Sequence, residues 1–149
     1  MDYSGMRLHR MRLKRTRKKA RKNMRRARQI FAQDGYHTAA NEHGLYAVDL
    51  KMRRSSPAIS RLIHGMVNEA ETVGFMCRKM GAGDVVQAGV FVGDMLPQLH
   101  AALAPGARIW GFEPNPRSHF LASRTVALNG LDRVTLTAAA LSDRPGALE

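Results

Sequence analysis

The chain of 149 residues is long enough for one domain with a hydrophobic core. Its formal charge of +12 comes from the N-terminus, because residues 1–28 hold thirteen Lys and Arg against one acid, whereas residues 29–149 hold eleven of each sign. The single cysteine excludes an internal disulfide and favours a reducing compartment. Neither a secretory signal nor an apolar run of membrane-spanning length is present, so a cytoplasmic location is expected.

Residues 1–34 are predicted to form a basic helical arm. The segment 7–33 lacks Gly and Pro and consists mostly of good helix formers. Its apolar residues share a face only near the C-terminal end, at Met24, Ala27 and Phe31, and there the helix is expected to be firm. Further upstream the like charges repel one another, and the helix is expected to fray.

Residues 35–56 are predicted to be a linker with one short strand over 45–50. A longer helix should follow, since Ser56 is a favourable N-cap and Pro57 suits the first helical position. From Ile59 to Met80 the apolar residues keep a spacing of three and four. This spacing predicts one amphipathic helix over the whole stretch.

The remainder of the chain, within a predicted domain of residues 57–149, alternates between strands and helices. In chain order the predicted elements cover 84–88, 94–103, 108–112, 116–128 and 134–138. Strand–helix alternation predicts a parallel sheet, which is the Rossmann-like α/β fold class. Three parallel strands make only half of a doubly wound sheet and leave the first strand as an edge. We therefore expect a partial domain, truncated after its third strand, from a longer protein.

Two glycines follow the first of these strands, at the position where open α/β sheets bind ligands. Gly89 allows the chain to turn sharply, and Gly93 allows a ligand or the helix backbone to come close. The next helix should offer free N–H groups to an anionic ligand. The G-x-x-x-G spacing differs from the G-x-G-x-x-G fingerprint of dinucleotide sites. By itself the turn is equally typical of a strand–helix junction that needs glycine for packing.

A carboxylate stands at the tip of the second strand, where Glu113 is part of the sequence Phe-Glu-Pro-Asn-Pro at 112–116. Such a group can accept hydrogen bonds from both hydroxyls of a ribose, and a hydrogen bond to a charged group contributes about 1.5–3 kcal/mol. The alternative is a solvated acid or a cap for the helix at Pro116. Together with the glycine turn, the position favours a site for the nucleoside end of a cofactor.

Residues 68–149 resemble the first half of the FkbM-type methyltransferases, which depend on S-adenosylmethionine. The acidic segment 68–72 is similar to the start of the helix that precedes the cofactor strand in that family. The other matching segments are Gly83-Asp84-Val85-Val86, Gly89 and Gly93 with Asp94, the Phe-Glu-Pro-Asn-Pro sequence, Leu128-Asn129-Gly130-Leu131, and Ala139-Ala140-Leu141-Ser142-Asp143 with Gly146. The basic arm lies outside the resemblance.

The resemblance implies S-adenosylmethionine as the cofactor. Gly89 and Gly93 would bracket its methionine portion, and Glu113 would bind its ribose. The adenine would lie beside Asn115 and the backbone around Ala140-Leu141.

One departure from the family concerns Gln87, because that position usually holds Asp. The Ala-Asn pair that follows the first glycine in the family is also replaced, by Val90-Phe91. Gln87 can accept a hydrogen bond, directly or through water, but it cannot neutralise the α-ammonium group of the cofactor. The affinity for the cofactor is therefore expected to be affected more than the fold.

The resemblance implies methyl transfer to an oxygen of a small molecule or sugar. No catalytic residue is named, because the substrate-facing residues of the family follow the third strand. No metal is expected, since the histidines and Cys77 lack a ligand spacing. Two other functions stay open: a non-catalytic truncated binding module, and an RNA-associated protein that contacts nucleic acid non-specifically through residues 7–28.

Overall fold

The computed structural model describes residues 35–144 together with Lys22 and Gly146. The predicted helix of the basic arm thus lies outside the described residues, apart from Lys22. In chain order the structure contains β1 (His37–Ala40), β2 (Leu45–Val48), a 3-10 helix (Leu50–Arg53), α1 (Pro57–Ile63), α2 (Ala70–Lys79), β3 (Val85–Ala88), α3 (Leu96–Ala102), β4 (Ile109–Phe112), α4 (Pro116–Asn129) and β5 (Val134–Thr137).

β3, β4 and β5 form a parallel sheet in that order, with Ile109 of β4 opposite Val85 of β3 and Val134 of β5. This arrangement confirms the predicted α/β fold class. Ile109 is buried on the face that α3 and α4 cover, whereas its neighbour Trp110 points to the other face and is exposed. The sequence of β3, Val-Val-Gln-Ala, suggests a strand that is buried on both faces, but the structure buries only one of them. Val86 is 63% exposed, because the described residues cover only one face of the sheet.

β1 and β2 form an antiparallel hairpin that the sequence pattern predicts only in part. The predicted short strand corresponds to β2, and all four of its residues are buried. Its partner β1, with the sequence His-Thr-Ala-Ala, has no apolar alternation that could indicate a strand. Tyr46 and Val48 share a hydrophobic cluster with Leu121 of α4, so the hairpin packs in the core beside the sheet. The division of the chain at residues 34 and 56 stays a prediction.

The single helix predicted from Ile59 to Met80 was wrong, because α1 and α2 are separated by residues 64–69. Gly65 and Glu69 have φ angles of +75° and +45°, which an α-helix cannot contain. The apolar spacing continues across the break, so periodicity alone could not reveal it. As a result, the connection between the two helices lies against the turn that follows β3, where Asn68 donates a hydrogen bond to Asp94.

No helix in the described part of the chain combines the length and the apolar composition that crossing a bilayer requires. The cytoplasmic location stays a prediction.

Candidate functional site

A cavity of about 390 Å³ lies at the carboxyl end of β3, where open α/β sheets bind their ligands. Its volume falls within the range of small-molecule sites. Three segments line it: the start of α1, the connection between α1 and α2, and the end of β3 with the turn that leads to α3. The polar and aromatic residues on its wall include Asn68, Glu69, Gln87, Phe91 and Asp94.

The two glycines of the turn have different surroundings, although both have a left-handed φ angle near +75°. A Cβ atom at Gly89 would meet nothing within 4 Å, so this glycine leaves space in the cavity that it lines. A Cβ atom at Gly93 would approach Leu96 Cδ1 to 3.1 Å and the Thr125 side chain to 3.3 Å. The absence of a side chain at Gly93 therefore serves the packing of the turn against α3 and α4.

Phe91, between these glycines, also has a left-handed backbone, with a φ angle of +54°. A non-glycine residue in this conformation costs about 1–3 kcal/mol. Its N–H donates a hydrogen bond of 2.7 Å to Glu113 Oε2, and this bond helps to hold the conformation.

Gln87, a predicted site residue, lies in the cavity wall and is 8% exposed. Its Oε1 atom is buried and has no hydrogen-bond partner in the described structure. Gln98 Oε1 and His119 Nε2 are in the same situation, but neither residue is among those that line the cavity. An unpaired buried polar group costs about 1–3 kcal/mol, so a donor on a bound molecule would stabilise Gln87 Oε1.

Asp94 lines the same cavity and was not among the predicted site residues. The residue is 9% exposed, and its carboxylate accepts a hydrogen bond from Asn68 Nδ2 at 2.9 Å. Burial raises the pKa of Asp94, and the hydrogen bond from Asn68 opposes this shift. An acid directly after the second glycine was the available signal. Periodicity placed Asn68 and Glu69 in the middle of a continuous helix, and the resemblance of the segment 68–72 to a helix start gave neither residue a role in the site.

Glu113 is buried, and the protein backbone already uses both of its carboxylate oxygens. Oε2 accepts the N–H of Phe91 at 2.7 Å, and Oε1 accepts the N–H of Asn115 at 2.9 Å. The carboxylate thereby ties the turn after β3 to the end of β4. Each oxygen can accept a further hydrogen bond, so binding of a ribose is compatible with these contacts. Glu113 is not among the residues that line the cavity.

The residues predicted beside the adenine are not in the cavity wall either. Asn115 is the N-cap of α4, where its Oδ1 accepts the N–H of Ser118 at 3.0 Å. Ala140 and Leu141 follow β5, and Leu141 is 50% exposed. The structure thus brings Gln87 and Gly89 together in the cavity, whereas Glu113, Asn115 and the segment 140–141 follow the neighbouring strands.

The predicted anion site at the start of the following helix is not supported. α3 begins at Leu96, two residues later than predicted, and its second residue is Pro97, which has no N–H to offer. The carboxylate of Asp94 lies just before this helix. An anionic ligand would meet fewer donors here than expected and a group of like charge.

No protein-family model matches the chain, and no curated protein matches it significantly. Among solved structures, TYW2 from P. horikoshii in complex with MeSAdo is 18% identical, with 78% of this chain and 40% of that chain covered and a TM-score of 0.53. This likeness shows the Rossmann-like fold. A methyltransferase from Geobacter sulfurreducens is 22% identical over 60% of this chain and 47% of that chain, with a TM-score of 0.44. The chain spans less than half of the length of either structure.

Proposed function

We propose that residues 57–149 are the cofactor-binding part of an S-adenosylmethionine-dependent methyltransferase. The observation that carries the proposal is the cavity at the carboxyl end of β3, in which the buried Gln87 Oε1 lacks a donor. The fold agrees with it, since TYW2, whose structure holds the S-adenosylmethionine analogue MeSAdo, has a similar fold. The resemblance to the FkbM type adds support from the motifs around residues 89–94 and 112–116.

In this proposal the cavity holds the methionine portion of the cofactor. The open space at Gly89 admits that portion, and Gln87 Oε1 accepts a hydrogen bond from its ammonium group. Gly93 contributes indirectly, by allowing α3 and α4 to pack against the turn.

The nucleoside portion is proposed to extend along the ends of β4 and β5. The remaining acceptor positions of Glu113 bind the ribose hydroxyls, while Asn115 and the backbone at Ala140 and Leu141 lie beside the adenine. The carbonyl ends of parallel strands meet at one edge of a sheet, and the register pairs Phe112 with Thr137 there.

When bound, S-adenosylmethionine supplies an electrophilic methyl group. The residues of this chain bind and orient the cofactor, and orientation is the main requirement of methyl transfer. From the FkbM resemblance we propose an oxygen of a small molecule or sugar as the acceptor. Transfer to a hydroxyl oxygen also needs a base that takes the hydroxyl proton.

The test is the affinity for S-adenosylhomocysteine, the demethylated cofactor, measured by titration calorimetry. Glu113→Ala is expected to weaken binding about tenfold or more, which corresponds to roughly 1.4 kcal/mol. Because this change also removes two hydrogen bonds to the backbone, Glu113→Gln and a thermal melt of each variant serve as companions. The exposed Glu71→Ala is the control that should bind normally. Unchanged affinity in both Glu113 variants would exclude the ribose contact.

A non-catalytic binding module is the alternative that this titration cannot separate from an enzyme. It would bind S-adenosylhomocysteine and transfer no methyl group from radiolabelled S-adenosylmethionine to any acceptor offered.

RNA binding is a second candidate, favoured by the thirteen Lys and Arg within residues 1–28. A deletion of residues 1–28 should abolish a steeply salt-dependent binding of RNA in fluorescence anisotropy. Binding retained by the shortened chain would remove the arm from this role.

A further inference from the structure

The cavity beside β3 has a negative character that contrasts with the formal charge of +12 of the whole chain. Two of its lining residues are acids, Glu69 and Asp94, and no described Lys, Arg or His is among the lining residues. Coulomb interactions in a partly enclosed site are weakly screened, so the cavity disfavours phosphates and favours cationic groups.

The Asp94 carboxylate is the part of the cavity that most needs a cationic partner. It is nearly buried, and its single side-chain donor is the neutral amide of Asn68 at 2.9 Å. Within the described part of the chain, the charge that acts on it is that of Glu69, which has the same sign. Buried carboxylates are normally paired with a positive group, because burial without one is costly. Among the described side chains, no cation occupies this position.

Gln87 supplies a second acceptor on the same cavity wall, the unpaired Oε1 atom. A carboxylate and an amide oxygen that both accept hydrogen bonds match an ammonium group, which has three donors and no acceptor. Phosphates and carboxylates bring only acceptors and leave both groups unpaired. The acceptor set therefore specifies the chemical class of the group bound here.

We propose that Asp94, together with Gln87, binds the α-ammonium group of the cofactor's amino acid end. The negative charge that the FkbM-type methyltransferases usually have at position 87, on the strand, then comes from position 94, at the far end of the glycine turn. This inference rests on the proposed function, since it names the residue that selects one end of the proposed cofactor. Asp94 is thus a specificity-determining binding residue.

The experiment is a cycle of two proteins and two ligands. Wild type and Asp94→Asn are titrated with S-adenosylhomocysteine and with its analogue that lacks the α-amino group. Wild type should bind the analogue at least tenfold more weakly, and Asp94→Asn should lose most of this discrimination. Asparagine keeps an oxygen acceptor for Asn68 Nδ2, so the fold of the turn should persist. Asp132→Asn, which changes an exposed acid paired with His100, is the matched control.

A charge relocation provides a second test. The double variant Gln87→Glu/Asp94→Asn keeps the two carboxylates that the wild-type cavity wall has, but moves one of them from position 94 to position 87 on the strand. It should regain the preference for the ligand with the amino group. Thermal melts of all variants with and without ligand show which of them are folded.

The outcomes distinguish this inference from the proposed function. If wild type binds both ligands equally well, or if Asp94→Asn weakens both to the same extent, Asp94 does not recognise the ammonium group, while the cofactor site itself stands. If wild type binds neither ligand, the proposed function fails and the inference fails with it.

Discussion

The contact between the hairpin and α4 and the cavity beside β3 both bury polar side chains, but they satisfy them differently. At the hairpin, Asn129 accepts the N–H of Leu45 at 2.9 Å and donates to the C=O of the same residue at 2.6 Å. Thr125 Oγ1 accepts the N–H of Ala47 at 3.1 Å and donates to the C=O of Val92 at 2.8 Å. Every polar atom in this set has a partner within the protein.

The cavity leaves comparable groups without such partners. Gln87 Oε1 has no donor, Asp94 has no described cation beside it, and the adjacent Phe91 keeps a left-handed backbone. The fully hydrogen-bonded polar groups at the hairpin stabilise the fold. The unpaired polar groups in the cavity lower the stability and can form hydrogen bonds to a ligand. Polar residues of similar burial therefore stabilise the fold at the hairpin and can bind a ligand in the cavity. Substitutions in each region test this difference.

The largest effect is expected at the contact between the hairpin and α4. Thr125→Val keeps the shape of the side chain but leaves the N–H of Ala47 and the C=O of Val92 without a partner, so the free energy of unfolding should fall by about 2–4 kcal/mol. Urea denaturation measures this change. Ser123→Ala, which removes a bond within the same helix, should cost less than about 1 kcal/mol. A loss below about 1 kcal/mol for Thr125→Val would contradict the claim that the hydrogen bonds at the hairpin stabilise the fold.

A substitution in the cavity is expected to raise the free energy of unfolding, by less than the loss at the hairpin. Gln87→Leu removes an unpaired polar atom, so the free energy of unfolding should rise by about 1 kcal/mol. The same change should weaken the binding of S-adenosylhomocysteine severalfold. Gln98→Leu is the matched control, because it also removes an unpaired buried Oε1 but lies on α3 outside the cavity lining. It should gain stability and bind normally. Equal effects of the two variants on binding would remove Gln87 from the site.

The smallest effect concerns pH. Burial raises the pKa of Asp94, so the folded protein holds this proton more tightly than the unfolded chain does. The free energy of unfolding should therefore fall as the pH rises from about 3.9, the ordinary value of Asp, through the raised pKa. Asp94→Asn lacks this fall. Its stability relative to wild type should increase over that range in ligand-free urea denaturations, and a constant difference would contradict the assignment.

Two other described acids, Asp49 and Asp84, have lowered pKa values and contribute to the pH dependence of stability with the opposite sign. A backbone hydrogen bond from Lys51 lowers the pKa of Asp49, and a hydrogen bond from the Trp110 ring lowers that of Asp84. Their contributions to the free energy of unfolding are present at a pH above the ordinary pKa of Asp, and they are lost as the pH falls through the lowered pKa values. Because both acids titrate in wild type and in Asp94→Asn alike, the difference between the two curves isolates Asp94.

Much of the fold could be predicted from local patterns. The alternation from β3 to β5 follows from apolar runs that are separated by helix caps and breakers. The helix predicted over 116–128 is present as α4, which ends one residue later, with Gly130 as its C-cap in the left-handed region at a φ angle of +61°. Patterns failed where tertiary contacts override them. Strand β1 forms because β2 offers it a partner, and the break at residues 64–69 forms although the apolar spacing of the flanking helices continues through it.

The same distinction between local patterns and tertiary contacts applies to the candidate site. The positions of Gln87, Gly89 and Glu113 near strand ends could be predicted locally, because the end of an apolar run is visible in the sequence. The bond from the turn to Glu113, and the cavity that joins Asp94 and Gln87 to Asn68, depend on how distant segments pack. The physical reason is that burial and hydrogen-bond partners are set by segments distant in the chain, and these two quantities make a carboxylate either a structural tie or a group that needs a ligand.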